Sequence, residues 1–163
     1  MQIALERYEK AHEERILGYI IEFFRAHHSN PTLDDAREDL CAWTQPGHEL
    51  YMIVRGGEAV GFMHICMRGS TVCWIEDIFV EEQRRRQGIA GQAIGLVEKM
   101  LAERGVEGVC MDVVPDNIAA IRLYHRLGFD RLSLVTLRKE LQPYAVERRE
   151  TIAGLEFNVK KFD

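Results

Sequence analysis

The chain has 163 residues, 47% of them apolar, and its 21 basic against 26 acidic residues leave a formal charge of −5. That length suits one domain with a sizeable core, and the acidic balance excludes a general nucleic-acid binder, which needs a basic face. The apolar runs fall short of the roughly 18 residues a membrane helix requires, and the first residues lack a basic-then-apolar leader, so the expected location is cytoplasmic. Cys41, Cys66, Cys73 and Cys110 form no C-x-x-C pair and have no histidine at metal-ligand spacing. They read as small, mostly buried hydrophobes, and no metal is expected.

In chain order, residues 2–8 alternate weakly and suit a first strand. Residues 9–27 carry Ile16, Leu17, Ile20, Ile21, Phe23 and Phe24 at helical spacing. Pro31 breaks that pattern, and Thr32 with Asp35 three residues on caps a second helix reaching about Trp43. A short strand at 50–54, a glycine hairpin turn at 55–58 and strands at 59–67 and 72–80 make an antiparallel meander. Ile89, Ala93, Leu96, Val97, Met100 and Leu101 form one face of a helix over 89–104, which Gly105 ends. Residues 106–114 read as a strand suited to a central position, joined to 72–80 by a helix and hence parallel to it. A helix follows over 118–127, then a strand at 129–140, a polar loop at 142–150 and a terminal strand at 151–162 that alternates Leu155, Phe157 and Val159 with polar residues. An unpaired edge of that kind invites association, so a homodimer through the tail is one expectation.

The turn between strand 72–80 and the helix is Arg85-Arg86-Gln87-Gly88-Ile89-Ala90-Gly91. The first N–H groups of a helix have no partner within it, and the helix dipole favours negative charge there. Gly88 permits close backbone approach to a phosphate, Ala90 and Gly91 leave room beside it, and Arg85 and Arg86 add charge-assisted contacts. The turn lacks the glycine spacing of a phosphate-binding loop or of a dinucleotide fold. Its pattern, Arg-x-x-Gly-x-Ala after Trp-Ile-Glu-Asp-Ile-Phe-Val, resembles the acetyl-CoA signature of the GNAT acyltransferase superfamily, with Arg85, Gly88 and Ala90 in the marked places. A second stretch resembles the family's later motif, Asn-x-x-Ala-x-x-x-Tyr-x-x-x-Gly-Phe, and is matched by Asn117, Ala120, Tyr124, Gly128 and Phe129.

The resemblance implies an α/β fold: a central mixed, twisted sheet of about six to seven strands with helices on both faces. A single domain would occupy 1–163, with its core at about 1–141 and a loop and strand in the tail. Two parallel strands, here 72–80 and 106–114, should splay apart around the pantetheine arm of acetyl-CoA. The resemblance further implies cofactor contacts from Ile78, Phe79 and Val80 along the arm. Pyrophosphate contacts would come from Arg85, Arg86, Gln87, Gly88, Ile89, Ala90 and Gly91, and further coenzyme contacts from Asn117 and Tyr124.

The implied acceptor is an amine, either on a small molecule or on a protein. At pH 7 only about one amine in a thousand is neutral, so a base must remove a proton. Glu76 and Asp77 interrupt an apolar strand near the splay, and because adjacent strand residues face opposite sides, only one should reach the acceptor unless a bulge intervenes. Family resemblance favours Glu76 as catalytic base. The competing reading places both carboxylates in salt bridges. Tyr124 is the candidate acid for the departing thiolate. His27, His28, Trp43, Tyr51 and Trp74 could line the acceptor pocket, but ordinary loop and core positions are the stronger reading for them. Two function classes fit this pattern: an acetyl-CoA-dependent N-acetyltransferase, and a non-catalytic coenzyme A-binding module that senses or recruits. The presence of both Glu76 and Tyr124 favours the enzyme.

Overall fold

The computed structural model describes residues 2–27, 29–115, 117–143 and 148–159. The chain divides into two compact units, with the boundary between Asp112 and Val113. The first contains β1 (Ile3–Arg7), α1 (Glu13–Ala26), α2 (Leu33–Trp43), β2 (His48–Arg55), β3 (Glu58–Met67), β4 (Val72–Val80), α3 (Ile89–Glu103) and β5 (Gly108–Cys110). The five strands form one sheet in the order β1-β2-β3-β4-β5. β1 to β4 are antiparallel neighbours, and β5 joins β4 in parallel.

Local chemistry sets the boundaries. Thr32 and Asp35 bond reciprocally at the start of α2, as a capping box does. Gly56 and Gly57 turn the β2–β3 hairpin with φ of 63° and 83°, the left-handed geometry of a tight hairpin. The period of two then sorts the sheet into two faces. Leu50, Met52, Val54, Phe62 and Phe79 pack with Ile16, Leu17, Tyr19, Ile20, Ala36, Leu40 and Trp43 of α1 and α2. On the opposite face Tyr51 reaches Met100 of α3, beside buried Ile94, Val97 and Leu101. Helices therefore cover both faces of a mixed sheet, as expected. No helix among the described residues is long and apolar enough to cross a membrane.

Gly61 is needed for close packing between β3 and β4. A Cβ built there would lie 2.0 Å from the carbonyl oxygen of Phe79. That neighbour is backbone and cannot swing away. Gly61→Ala is expected to destabilise the fold by about 1–3 kcal/mol, as overpacking does, and by more if the ladder shifts. A melting curve matching the wild type would refute this.

The second unit contains α4 (Ile118–Arg126), β6 (Arg148–Ile152) and β7 (Leu155–Val159). From residue 106 onward the chain departs from the sequence-based expectation in four places. The strand predicted at 106–114 pairs only over Gly108–Cys110, and β5 is the last strand of its sheet rather than a central one. The stretch 129–140 joins no ladder, and its Leu132, Leu134 and Leu137 are 91%, 77% and 68% exposed. An apolar run or an alternation specifies an extended chain, but a strand also needs a partner, and that partner is set by the tertiary fold. The polar segment 142–150 is not loop throughout, because 148–150 belong to β6. The tail strand predicted at 151–162 is divided. Ala153 and Gly154, with φ of 54° and 77°, turn the chain so that β6 and β7 pair with each other. Residues 160–162 of that prediction lie outside the described residues. Among the described residues the strands are thus shared between a five-stranded and a two-stranded sheet.

Candidate active site

Gly88 stands at the N-cap of α3 with φ 75°, and no side chain caps the helix. Its carbonyl accepts the first helical bond, from Gln92 N–H. The N–H groups of Ile89, Ala90 and Gly91 therefore have no partner in the helix, the arrangement that suits an anion. The turn is braced from the hairpin side: Arg84 pairs with Glu58 at 2.9 Å, and Arg55 holds the Gln87 amide. Arg85 bonds the Val80 carbonyl at 2.9 Å and lies over the Phe79 ring. Arg86, with φ 60°, has no ion pair or side-chain hydrogen bond among the described residues. Of the three arginines, it is the one left uncommitted.

The β4–β5 ladder runs from Val72–Gly108 to Trp74–Cys110 and stops. Residues 75–80 of β4 keep β3 on one edge and have no strand on the other among the described residues. The open stretch of β4 therefore begins at Ile75, because β5 ends at Cys110, and Ile78, Phe79 and Val80 lie on it.

β4 also carries a bulge. Ile75 opposes Ile65 and Asp77 opposes His64, which leaves Glu76 as the extra residue. This is the bulge that the strand alternation of Glu76 and Asp77 had left open. Arg68 bonds both oxygens of Glu76, at 3.0 and 2.7 Å, while its guanidinium lies 4.8 Å from the Trp74 ring centre. Asp77 accepts a bond from His64, which stacks on Trp43. Trp74 opposes Cys66 and Asp77 opposes His64 on the face that α1 and α2 cover, and Arg68, which lies over Trp74 and bonds Glu76, ties the bulged acid to the same side. Asp39 of α2 adds a third carboxyl nearby; burial, then the charge of Asp77, pushes it above the usual carboxylate range.

Sequence reasoning assigned no role to His48, His64 or Arg68. His64 Nδ1 lies 2.8 Å from Asp77 Oδ2, and its Nε2 lies 2.8 Å from His48 Nδ1. His48 Nε2 lies 3.6 Å from Cys66 Sγ. The available signal was a histidine inside the apolar strand Phe62-Met63-His64-Ile65. Its register partner could not be read without the bulge.

The pocket candidates separate. Trp43 is buried between Phe62 and His64 as core. Tyr51 faces α3, bonded to Glu49 and to Arg104. His27 bonds the Phe23 carbonyl at the end of α1. Trp74 lies beside Glu76 under Arg68. His28 lies outside the described residues. Cys73 is buried, and burial pushes its thiol up to about 11; Cys66 and Cys110 are half-buried and Cys41 is exposed.

In the second unit Asn117 caps α4 by accepting the Ala120 N–H at 3.1 Å. Tyr124 packs against Phe129 at 6.1 Å, and burial raises its phenol above the ordinary value, so it stays protonated at neutral pH.

The model of the acetyltransferase (GNAT) family matches residues 10–129, which spans both units. The chain belongs to that family. It is an acyltransferase of the N-acetyltransferase class, and the family uses acetyl-CoA. An aminoglycoside N(6')-acetyltransferase type 1 from Salmonella enteritidis is 26% identical over 140 residues, covering 80% of this chain and 94% of that protein. A mycothiol acetyltransferase from Kytococcus sedentarius is 36% identical over 80 residues, covering 49% of this chain and 27% of its own. Among solved structures, AAC(6')-Iy in complex with the bisubstrate analogue CoA-S-monomethyl-acetylneamine shares the fold with a TM-score of 0.71 at 22% identity, covering 86% of this chain and 99% of that one.

Proposed function

We propose that the chain transfers the acetyl group of acetyl-CoA to a primary amine on a small polycationic acceptor, with an aminoglycoside as the type. The observation that carries this reading is the bulge in β4. It sets Glu76 and Asp77 on one face beside the free edge of the strand, where a donor's acyl group and a cationic amine can meet. The several relatives named aminoglycoside N(6')-acetyltransferase support the acceptor class. The two compact units are read as one catalytic domain, because the family match runs through both.

In this reading the pyrophosphate rests on the N–H groups of Ile89, Ala90 and Gly91 with Arg86 beside it, and the pantetheine arm lies along Ile78, Phe79 and Val80. Asn117 contributes a further coenzyme contact. Glu76 takes the amine proton. Its partner Arg68 is 46% exposed, and in this reading the arriving ammonium takes the place of the guanidinium. The neutral amine attacks the thioester carbonyl, the tetrahedral intermediate collapses, and Tyr124 protonates the departing thiolate.

Release of free thiol from acetyl-CoA, measured over a panel of aminoglycosides, polyamines and lysine peptides, tests the proposal. Turnover with an aminoglycoside is the expected result. Tight acetyl-CoA binding with no turnover on any amine would instead favour a coenzyme A-binding module. Tyr124→Phe is expected to lower kcat while leaving acetyl-CoA affinity nearly unchanged, as for an interaction made mainly in the transition state. High pH should not rescue it, since a more basic solution supplies no acid. Wild-type kcat in this variant, where chemistry limits the rate, would remove Tyr124 from the mechanism.

A further inference from the structure

The two carboxylates of the bulge are held in different ways. Glu76 has both oxygens on a half-exposed arginine that can move away. Asp77 has one oxygen on His64, and its other oxygen has no partner among the described residues. His64 cannot move away. It is 3% exposed, stacked on Trp43 with ring centres 4.7 Å apart and planes 18° apart, and tied at its far nitrogen to His48.

The proton positions in this chain follow from elementary rules. A carboxylate oxygen only accepts, so Nδ1 of His64 carries a hydrogen whether the ring is neutral or charged. With a neutral ring, Nε2 accepts from His48 Nδ1, and His48 Nε2 is then left as an acceptor facing the Cys66 thiol at 3.6 Å. Every member of the row from Cys66 to Asp77 has its partner, and the free valence of the row is the second oxygen of Asp77. That side chain is 19% exposed, on the same face as Glu76.

We propose that Asp77 is the fixed anchor for the acceptor's ammonium group, and that His64 and His48 are positioning residues that hold its free oxygen toward the acceptor. This rests on the amine-acetyltransferase reading and divides its labour. The anchored carboxylate stays in place and orients the cation, while the carboxylate beside it exchanges a mobile arginine for the amine and takes the proton. The geometry that suits Asp77 to this task is the combination of a locked donor on one oxygen and an unpaired second oxygen.

The test uses the full chain and two readouts: steady-state kinetics with neamine as acceptor, and calorimetric titration of neamine into the enzyme without acetyl-CoA. Asp77→Asn keeps the shape and removes the charge. It is expected to raise the neamine KM and dissociation constant by about tenfold or more, the worth of a charge-assisted hydrogen bond, with kcat at saturation changed far less. His64→Leu should do the same. His64→Asn places an amide N–H where Nδ1 stood and should restore most of the affinity, which a merely space-filling role would not predict. Equal defects in the Asn and Leu variants would reduce His64 to a packing residue and overturn its part. Unchanged neamine affinity in Asp77→Asn would overturn the anchor, as would a wild-type enzyme that binds no neamine. If His64→Leu fails to fold, Asp77→Asn and His64→Asn still decide the matter. A wild-type protein that binds neamine through Asp77 but transfers no acetyl group would leave the anchor standing and remove the transferase reading.

Discussion

Glu76→Gln is expected to lower kcat by about 10²–10⁴-fold, the usual worth of a positioned general base. The substitution keeps size and polarity and still offers Arg68 an oxygen at the same place, so the fold should not change. The loss should depend on pH in a particular direction. An ordinary amine with a pKa near 10.4 is neutral about once in a thousand molecules at pH 7, and about a hundred times more often at pH 9. As pH rises, the acceptor arrives already deprotonated more often, and the missing base matters less. The ratio of wild-type to variant kcat should therefore shrink from pH 7 to pH 9. A defect of constant size across that range would show that Glu76 acts through its pairing with Arg68 and not as a base.

Gly88→Val should cost acetyl-CoA affinity. The physical reason is conformation and not space. A Cβ at Gly88 would meet only Gln92 Nε2 at 3.6 Å, an ordinary contact, yet the residue sits at φ 75°. A residue with a side chain pays roughly 1–2 kcal/mol there, and a β-branched one is a true outlier. The valine variant relieves that strain by leaving the left-handed region, which turns the N–H groups of Ile89, Ala90 and Gly91 away from the pyrophosphate. A loss of at least about tenfold in affinity follows, since 1.4 kcal/mol is a factor of ten. The backbone strain also weighs on the folded state, so the melting temperature should fall by several degrees while the fold is kept. Calorimetric titration reads the affinity directly, and an unchanged dissociation constant would show that these amides do not hold the donor.

Much of the first unit was legible because its signals are local. The capping residues Thr32 and Asp35, the hairpin glycines 56 and 57, and the glycine at the start of α3 each act within a few residues of themselves. The strand 72–80 was bounded correctly for the same reason: an apolar run, interrupted only by Glu76 and Asp77, ends at a basic turn. The second unit was less legible. The alternating leucines of 129–140 carry the pattern of a strand, but the pattern does not supply a neighbour to pair with, and Leu132 stands 91% exposed.

The candidate site divides along the same line. The chain's own residues determined the glycine turn before α3, the fold class and the presence of two acids and a tyrosine at the places the family resemblance marks, because sequence order alone sets those features. The tertiary structure decided what each acid touches. Glu76 and Asp77 share a face only because β4 bulges against β3, a register event between strands that no period of two can express. The partners that distinguish the two acids, Arg68 for one and buried His64 with His48 for the other, come from eight to twenty-nine positions away along the chain. They meet those acids because three antiparallel strands place them side by side, and that proximity exists only once the sheet has formed.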